Sequence, residues 1–172
     1  MAASPRPVRF LMDHRIFAQP VLGTLFRLAK AIPIAPRDEN PECYRTAMEQ
    51  ARQVLRDGDL LAIFPEGAIT RNGELGEFRA GALRILADAA KQGLKVPVVP
   101  IGLNGLWGSF FSRIEHGRAM VAPLRRGLRN TIHIHIGEAL DAAIASTDDL
   151  RNAVIRLLEP SIAPVRAPGH RV

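Results

Sequence analysis

A carboxylate, a glycine, a hydroxyl and a guanidinium occur within six consecutive positions of the sequence: Glu66, Gly67, Thr70 and Arg71. Glycine allows a backbone to turn sharply and to approach a ligand closely. The Arg71 guanidinium is a planar fork of donors that suits a phosphate or a carboxylate, and Thr70 adds a hydroxyl. Glu66 can hold Arg71 in place or accept a hydrogen bond from a ligand hydroxyl. These residues indicate an anion-binding site; a solvated Pro-Glu-Gly turn with a surface ion pair is the alternative.

The surrounding pattern predicts strands that alternate with helices. Strands are predicted at 8–12, 59–64, 96–103 and 131–136, with an extended, proline-bounded edge segment at 32–36. Helices are predicted at 20–31, from 41 to a stop at 58, at 78–92 and at 146–159. Alternation of this kind indicates an α/β fold: a single domain over residues 8–160, with a mostly parallel sheet flanked by helices and flexible tails at 1–7 and 161–172. Sites in such sheets lie just beyond the carboxyl ends of strands, where Glu66 stands.

Two of the predicted helices carry start signals. Asn40 is a favourable N-cap residue directly before Pro41, which suits the first helical position. Ser146 is followed three residues later by Asp149, which resembles a capping box with aspartate in the glutamate position.

Charge and cysteine content limit the partners and the kinds of site that this chain can have. The net charge of +6 comes from arginine, since only three of the 23 basic residues are lysines. This charge predicts attraction to polyanions such as anionic lipid, acidic cofactors or nucleic acid. The basic residues are dispersed and no nucleic-acid module is recognisable, so we expect no nucleic-acid partner. The single Cys43 excludes an internal disulfide and a cysteine-based zinc cluster, and fits a reducing compartment.

Membrane association is expected only at the surface. No stretch reaches the roughly 18 apolar residues of a membrane span, and no signal-peptide pattern is present. We therefore expect a cytoplasmic location, peripheral on the inner face of the cytoplasmic membrane. The segment 22–31 mixes leucines with Arg27 and Lys30; it can lie on an anionic membrane, although packing on its own sheet is favoured. The aromatic residues of 105–113 suit a lipid interface, an acyl channel or the core equally.

The five histidines do not reveal a catalytic or metal site. No spacing supports a Ser-His-Asp arrangement, and GxSxG, GxGxxG and P-loop patterns are absent from the sequence. His133 and His135 alternate on one predicted strand face, where a half-exposed surface is favoured over a metal site. We therefore predict no metal and no bound cofactor.

Three short blocks resemble those of the glycerophospholipid acyltransferase family, of the 1-acylglycerol-3-phosphate acyltransferase type. The stretch FPEGAITR (64–71) resembles the third block, AIPIAP (31–36) the second and VPVVPI (96–101) the fourth, in the same order along the chain. The resemblance covers roughly residues 8–140. It implies a glycerol-3-phosphate acyltransferase-like fold and transfer of an acyl chain to a lysophospholipid. The acyl donor would be a thioester of coenzyme A or acyl carrier protein, which is a substrate and not a cofactor.

The resemblance also assigns residues. It implies that Glu66, Gly67 and Arg71 help to bind the glycerol phosphate. The arginine that many members carry in the second block has no clear match, and Arg37, which follows Pro36, is a candidate substitute.

The family's general base is missing from these 172 residues. In the family, a histidine in a His-x4-Asp motif takes the hydroxyl proton. No histidine here has an aspartate five positions later, and His133 with Glu138 has the spacing but follows the fourth block. Asp13 and His14 are adjacent, and neighbours on a strand point to opposite faces, so we do not expect them to form a pair. We therefore assign no catalytic residue.

The resulting expectation is an N-terminally shortened member of the family. Its expected partners are a lysophospholipid, an acyl thioester and an anionic membrane surface. Acyl carrier protein, or a chain that supplies the missing motif, is a further candidate partner. The alternative function is a non-catalytic lipid- or anion-binding module.

Overall fold

The computed structural model describes residues 6–18, 20–68, 73–105, 114–115, 118–119, 131–141 and 146–159. Strands are β1 (Val8–Asp13), β2 (Ile32–Ile34), β3 (Leu60–Ile63), β4 (Ile101–Asn104), β5 (Ile114–Glu115), β6 (Arg118–Ala119) and β7 (His133–Ile136). Helices are α1 (Pro20–Leu28), α2 (Pro41–Arg56), α3 (Gly81–Lys91) and α4 (Thr147–Leu158), and a short 3-10 helix (His14–Ala18) follows β1. The predicted tails lie outside the described residues, apart from positions 6 and 7.

The first three strands form a parallel sheet in the order β2-β1-β3. Leu11 of β1 pairs with Ile32 on one side and with Ile63 on the other. Parallel pairing places the carboxyl ends of all three strands at the same edge, and the loop that carries Glu66 leaves from this edge. The predicted α/β class is confirmed, and β2 is an edge strand of this sheet as its prolines predict.

Helix α2 covers one face of the parallel sheet and forms the core with it. Ala47 and Ala51 of α2 are buried, with Ala51 fully inaccessible, and they lie against Leu11 and Ile32 of the sheet. Ile85 of α3 completes this cluster. The apolar face of α2 that the sequence predicts is therefore the face that packs.

Both predicted cap signals are present in the structure. The side chain of Asn40 accepts a hydrogen bond from the Cys43 backbone N–H at 2.9 Å, and α2 begins at Pro41. At the start of α4, Ser146 and Asp149 form a reciprocal capping box. Hydrogen bonds from the backbone N–H and the hydroxyl of Ser146 hold the pKa of the Asp149 carboxyl below its usual value.

Two element boundaries differ from the prediction for local reasons. The predicted strand at 96–103 becomes a single bridge between Val98 and Leu140 followed by β4, because Pro97 and Pro100 have no N–H to donate to a ladder. The helix predicted from residue 78 begins at Gly81, because the segment before it belongs to the loop that follows β3.

The later strands pair antiparallel. In the β4–β7 pair, Ile101 lies opposite Ile136, and Leu103 opposite Ile134. These four side chains share one face and are exposed, with Ile134 and Ile136 each at 62%. Helix α4 covers the other face, where a Cβ on Gly102 would lie 3.0 Å from the Leu158 side chain.

Helix α1 packs against the 3-10 helix. The Phe26 and Phe17 rings lie 6.2 Å apart, and Arg27 donates a 2.9 Å hydrogen bond to the Phe17 carbonyl. Leu25 and Leu28 remain exposed at 57% and 77%. These two leucines of segment 22–31, which the sequence predicts to pack on the sheet, are thus only partly buried. None of the described helices has both the length and the apolar character needed to cross a bilayer.

Candidate anion-binding site

The chain turns tightly as it leaves β3. The Gly67 N–H donates to the Phe64 carbonyl at 3.1 Å, and Gly67 has φ +61° in the left-handed region. This conformation strains any residue with a Cβ, so glycine is required here by the backbone itself. The sequence prediction of a sharp glycine turn at the strand end is confirmed. Thr70 and Arg71, the other two predicted site residues, lie outside the described residues.

The Glu66 carboxylate joins the start of the loop to Gly76, near its end. Its Oε2 accepts a hydrogen bond from the Gly76 N–H at 2.7 Å. Within the described residues, Oε1 makes no hydrogen bond and remains available as an acceptor for a hydroxyl. The carboxylate therefore fixes the loop through one oxygen while presenting the other.

Arg79 closes the loop from its far end. Its backbone N–H donates to the Pro65 carbonyl at 2.8 Å. Its side chain lies directly over Gly67, since a Cβ built on that glycine would be 3.0 Å from both Cδ and Nε of Arg79. Glycine at position 67 is thus favoured by its φ angle, and a Cβ there would also displace the Arg79 side chain.

Helix α4 holds the same loop from outside. Arg151 donates from Nε to the Gly76 carbonyl and from Nη2 to the Leu75 carbonyl, both at 3.0 Å. These groups are about 75 positions apart in the sequence, and no local pattern signals the contact. The sequence analysis also missed the role of Arg79 in the loop, because it placed Arg79 inside the helix predicted at 78–92.

A charged cluster lies at the end of β1. His14 Nδ1 is 3.6 Å from Asp13 Oδ1, and His14 Nε2 is 3.6 Å from Glu39 Oε1. Arg15 forms an ion pair with the same glutamate. The expectation that Asp13 and His14 point apart is wrong, because β1 ends at Asp13 and the 3-10 helix begins at His14.

The 3.6 Å approach of His14 Nδ1 to Asp13 Oδ1 is too long for a hydrogen bond. The buried Nδ1 of His14 has no hydrogen-bond partner among the described residues. The pair therefore does not reproduce a hydrogen-bonded base and orienting carboxylate. Arg37, the candidate substitute in the second block, is exposed in the turn after β2.

The described histidines and carboxylates do not form a candidate metal site. The rings of His133 and His135 lie 6.4 Å apart on β7. Across the part of the chain that the structure describes, no three His, Cys, Asp or Glu side chains are placed to share a metal ion. The described loop residues can instead bind an anion, through the Arg79 guanidinium and the glycine backbone at position 67.

The model of the acyltransferase family matches residues 1–104, which is more than half of the chain. The matched region contains β1 to β4 and the whole loop between β3 and α3.

Several curated proteins are similar to this chain. A probable 1-acyl-sn-glycerol-3-phosphate acyltransferase of Mycoplasma pneumoniae is 33% identical over 98 residues, covering 56% of this chain and 35% of the relative. A chloroplastic 1-acyl-sn-glycerol-3-phosphate acyltransferase of Brassica napus is 34% identical over 97 residues, covering 56% and 26%. An N-acylphosphatidylethanolamine synthase of Arabidopsis thaliana is 22% identical over 171 residues, covering 98% and 57%. The chain thus spans about a third or less of the first two relatives.

The fold is similar to that of a solved structure. The crystal structure of the 1-acyl-sn-glycerophosphate acyltransferase PlsC from Thermotoga maritima superposes with a TM-score of 0.60 and 20% sequence identity. The match covers 94% of this chain and 59% of that one.

Proposed function

This chain belongs to the acyltransferase family, and from that premise we propose that it takes part in O-acyl transfer to a lysophospholipid such as 1-acylglycerol-3-phosphate. In this reaction the C–S bond of an acyl thioester breaks and a C–O ester bond forms. The acceptor hydroxyl gives up its proton to a base, and the thiol leaves. The donor thioester is carried by coenzyme A or by acyl carrier protein.

The observation that carries this proposal is the geometry of the loop after β3. Glu66 is fixed to Gly76 by a 2.7 Å hydrogen bond, and Gly67 turns in the left-handed region beside it. In the proposal, Gly67 lets the backbone approach the acceptor, and Oε1 of Glu66 accepts a hydrogen bond from the glycerol hydroxyl. Arg71 clamps the phosphate, assisted by the Thr70 hydroxyl.

The proposed location is the inner face of the cytoplasmic membrane. The net charge of +6 favours an anionic lipid surface. The exposed Leu25 and Leu28 of α1, beside Arg27 and Lys30, add a small apolar contact of the kind that interfacial helices use. A peripheral protein there would meet both the lysophospholipid and the soluble donor.

A second candidate function is a lipid- or anion-binding module without turnover. It is favoured by one observation, the absence of a His-x4-Asp spacing from these 172 residues. In that case the loop binds the lysophospholipid, and the general base comes from elsewhere or is not used.

Acyl transfer by the chain of 172 residues alone tests the proposal. Transfer to lysophosphatidate is measured from acyl-CoA and from acyl carrier protein, together with lysophosphatidate binding. The variants are Arg71→Ala and, as a control, Arg45→Ala, which removes an exposed arginine of α2.

Turnover that Arg71→Ala abolishes and Arg45→Ala preserves is the expected result for the enzyme. Binding without turnover by the wild type would favour the module. If the wild type neither binds nor turns over lysophosphatidate, both functions are wrong.

A further inference from the structure

We propose that Arg79 is a phosphate-binding residue of this loop, which contacts the phosphate monoester of a substrate. The inference rests on the proposed function and names a residue that the block resemblance does not assign. It follows from the position of the Arg79 side chain and from its lack of a partner.

The position of Arg79 is fixed by the loop. Its N–H donates to the Pro65 carbonyl, and its Cδ and Nε lie 3.0 Å from the point that a Cβ on Gly67 would occupy. A group that approaches the Gly67 backbone therefore meets the Arg79 guanidinium. Arg79 is exposed, so this guanidinium is accessible to a ligand.

The charge of Arg79 is not balanced by the described residues. Two other described arginines are engaged: Arg52 binds Asp88 at 2.7 Å, and Arg56 binds Glu49 at 3.0 Å. Within the described ranges, the Arg79 side chain forms no hydrogen bond or ion pair. Even Glu66, which directly precedes Gly67, does not pair with Arg79, since its Oε2 accepts a hydrogen bond from the Gly76 N–H.

A phosphate monoester is the ligand that this arrangement suits. It carries close to two negative charges at neutral pH and several acceptor oxygens, so it suits the planar donor fork of the Arg79 guanidinium. Both proposed substrates offer such a group, namely the phosphate of lysophosphatidate and the 3′-phosphate of coenzyme A. The test must therefore separate the acceptor from the donor.

The experiment measures affinity for four probes by titration calorimetry. These are a short-chain lysophosphatidate below its micelle concentration, the matching monoacylglycerol, coenzyme A and dephospho-coenzyme A. The variant is Arg79→Gln, which keeps the backbone N–H to Pro65. The control is Arg84→Gln, which removes another exposed arginine one turn into α3.

We expect Arg79→Gln to weaken one phosphate-bearing probe by at least about tenfold, the scale of a lost charge-assisted hydrogen bond. The matching probe without the phosphate, and the Arg84→Gln variant, should stay within about twofold. A loss for lysophosphatidate assigns Arg79 to the acceptor, and a loss for coenzyme A assigns it to the donor.

Two results would overturn the inference. One is wild-type binding of lysophosphatidate and coenzyme A that Arg79→Gln leaves unchanged. The other is an equal loss for the probes with and without phosphate, which marks a structural role only. If the wild type binds neither phosphate-bearing probe, the proposed function itself fails, and this outcome is distinct from the first two.

Discussion

The parallel sheet and the β4–β7 pair use their apolar residues differently. Against the parallel sheet, α2 and α3 bury Ala51 and Ile85 almost completely. The β4–β7 pair is covered by α4 on one face only, and on the other face Ile134 and Ile136 are mostly exposed. Because hydrophobic stabilisation scales with the apolar area removed from water, the first region should contribute most of the stability.

The candidate site lies between these two regions. Pro65 and Glu66 continue directly from β3, whereas Arg151 reaches the loop from α4. The parallel sheet therefore sets the position of the loop, and α4, which packs on the β4–β7 pair, stabilises the loop through the hydrogen bonds of Arg151. This comparison can be tested by changing each region in turn.

The largest expected effect comes from the buried core. We expect Ile85→Ala to lower the free energy of unfolding by about 3 kcal/mol, because it removes buried methyl groups and leaves a cavity. The matched control is Ile134→Ala on the exposed face of β7, which should cost less than about 0.5 kcal/mol. Urea denaturation of both variants makes the measurement. Equal losses for the two isoleucines would break the comparison.

A smaller loss of stability is expected when the hydrogen bonds from Arg151 of α4 to the loop are removed. We expect Arg151→Gln to destabilise the loop by about 1 kcal/mol, since it removes hydrogen bonds from a charged donor to the Leu75 and Gly76 carbonyls. Hydrogen exchange at the Gly76 amide should become faster, with little change in the amides of α2. Arg156→Gln, an exposed position on the same helix, is the control. Unchanged exchange at Gly76 would mean that the loop does not depend on α4.

Local signals predicted much of the fold. Asn40, Pro41 and Gly58 define α2 because caps, first-turn prolines and positive φ angles are set by neighbouring residues. The position of Glu66 and Gly67 at a strand end follows from the apolar run before them. These features need no knowledge of distant residues.

The remaining features depend on contacts that periodicity does not encode. Arg151 binds the Leu75 carbonyl only because α4 packs beside the loop. Arg79 lies outside α3 because its backbone N–H donates to the Pro65 carbonyl. The approach of His14 to Asp13 was missed because the two residues were treated as neighbours on one strand, whereas His14 begins the 3-10 helix. Nonlocal hydrogen bonds and exact element ends thus limited the prediction.

Lysophosphatidate affinity of a matched pair of glycine variants tests the central claim, that the loop at Gly67 is the anion-binding site. Gly67 and Gly58 both have positive φ, so valine strains the backbone at either position. A Cβ at Gly67 would press on Arg79, whereas a Cβ at Gly58 meets nothing within 4 Å.

We predict that the wild type and folded Gly58→Val bind lysophosphatidate with similar affinity, and that Gly67→Val binds at least about tenfold more weakly. Equal affinity for Gly67→Val and the wild type would contradict the account.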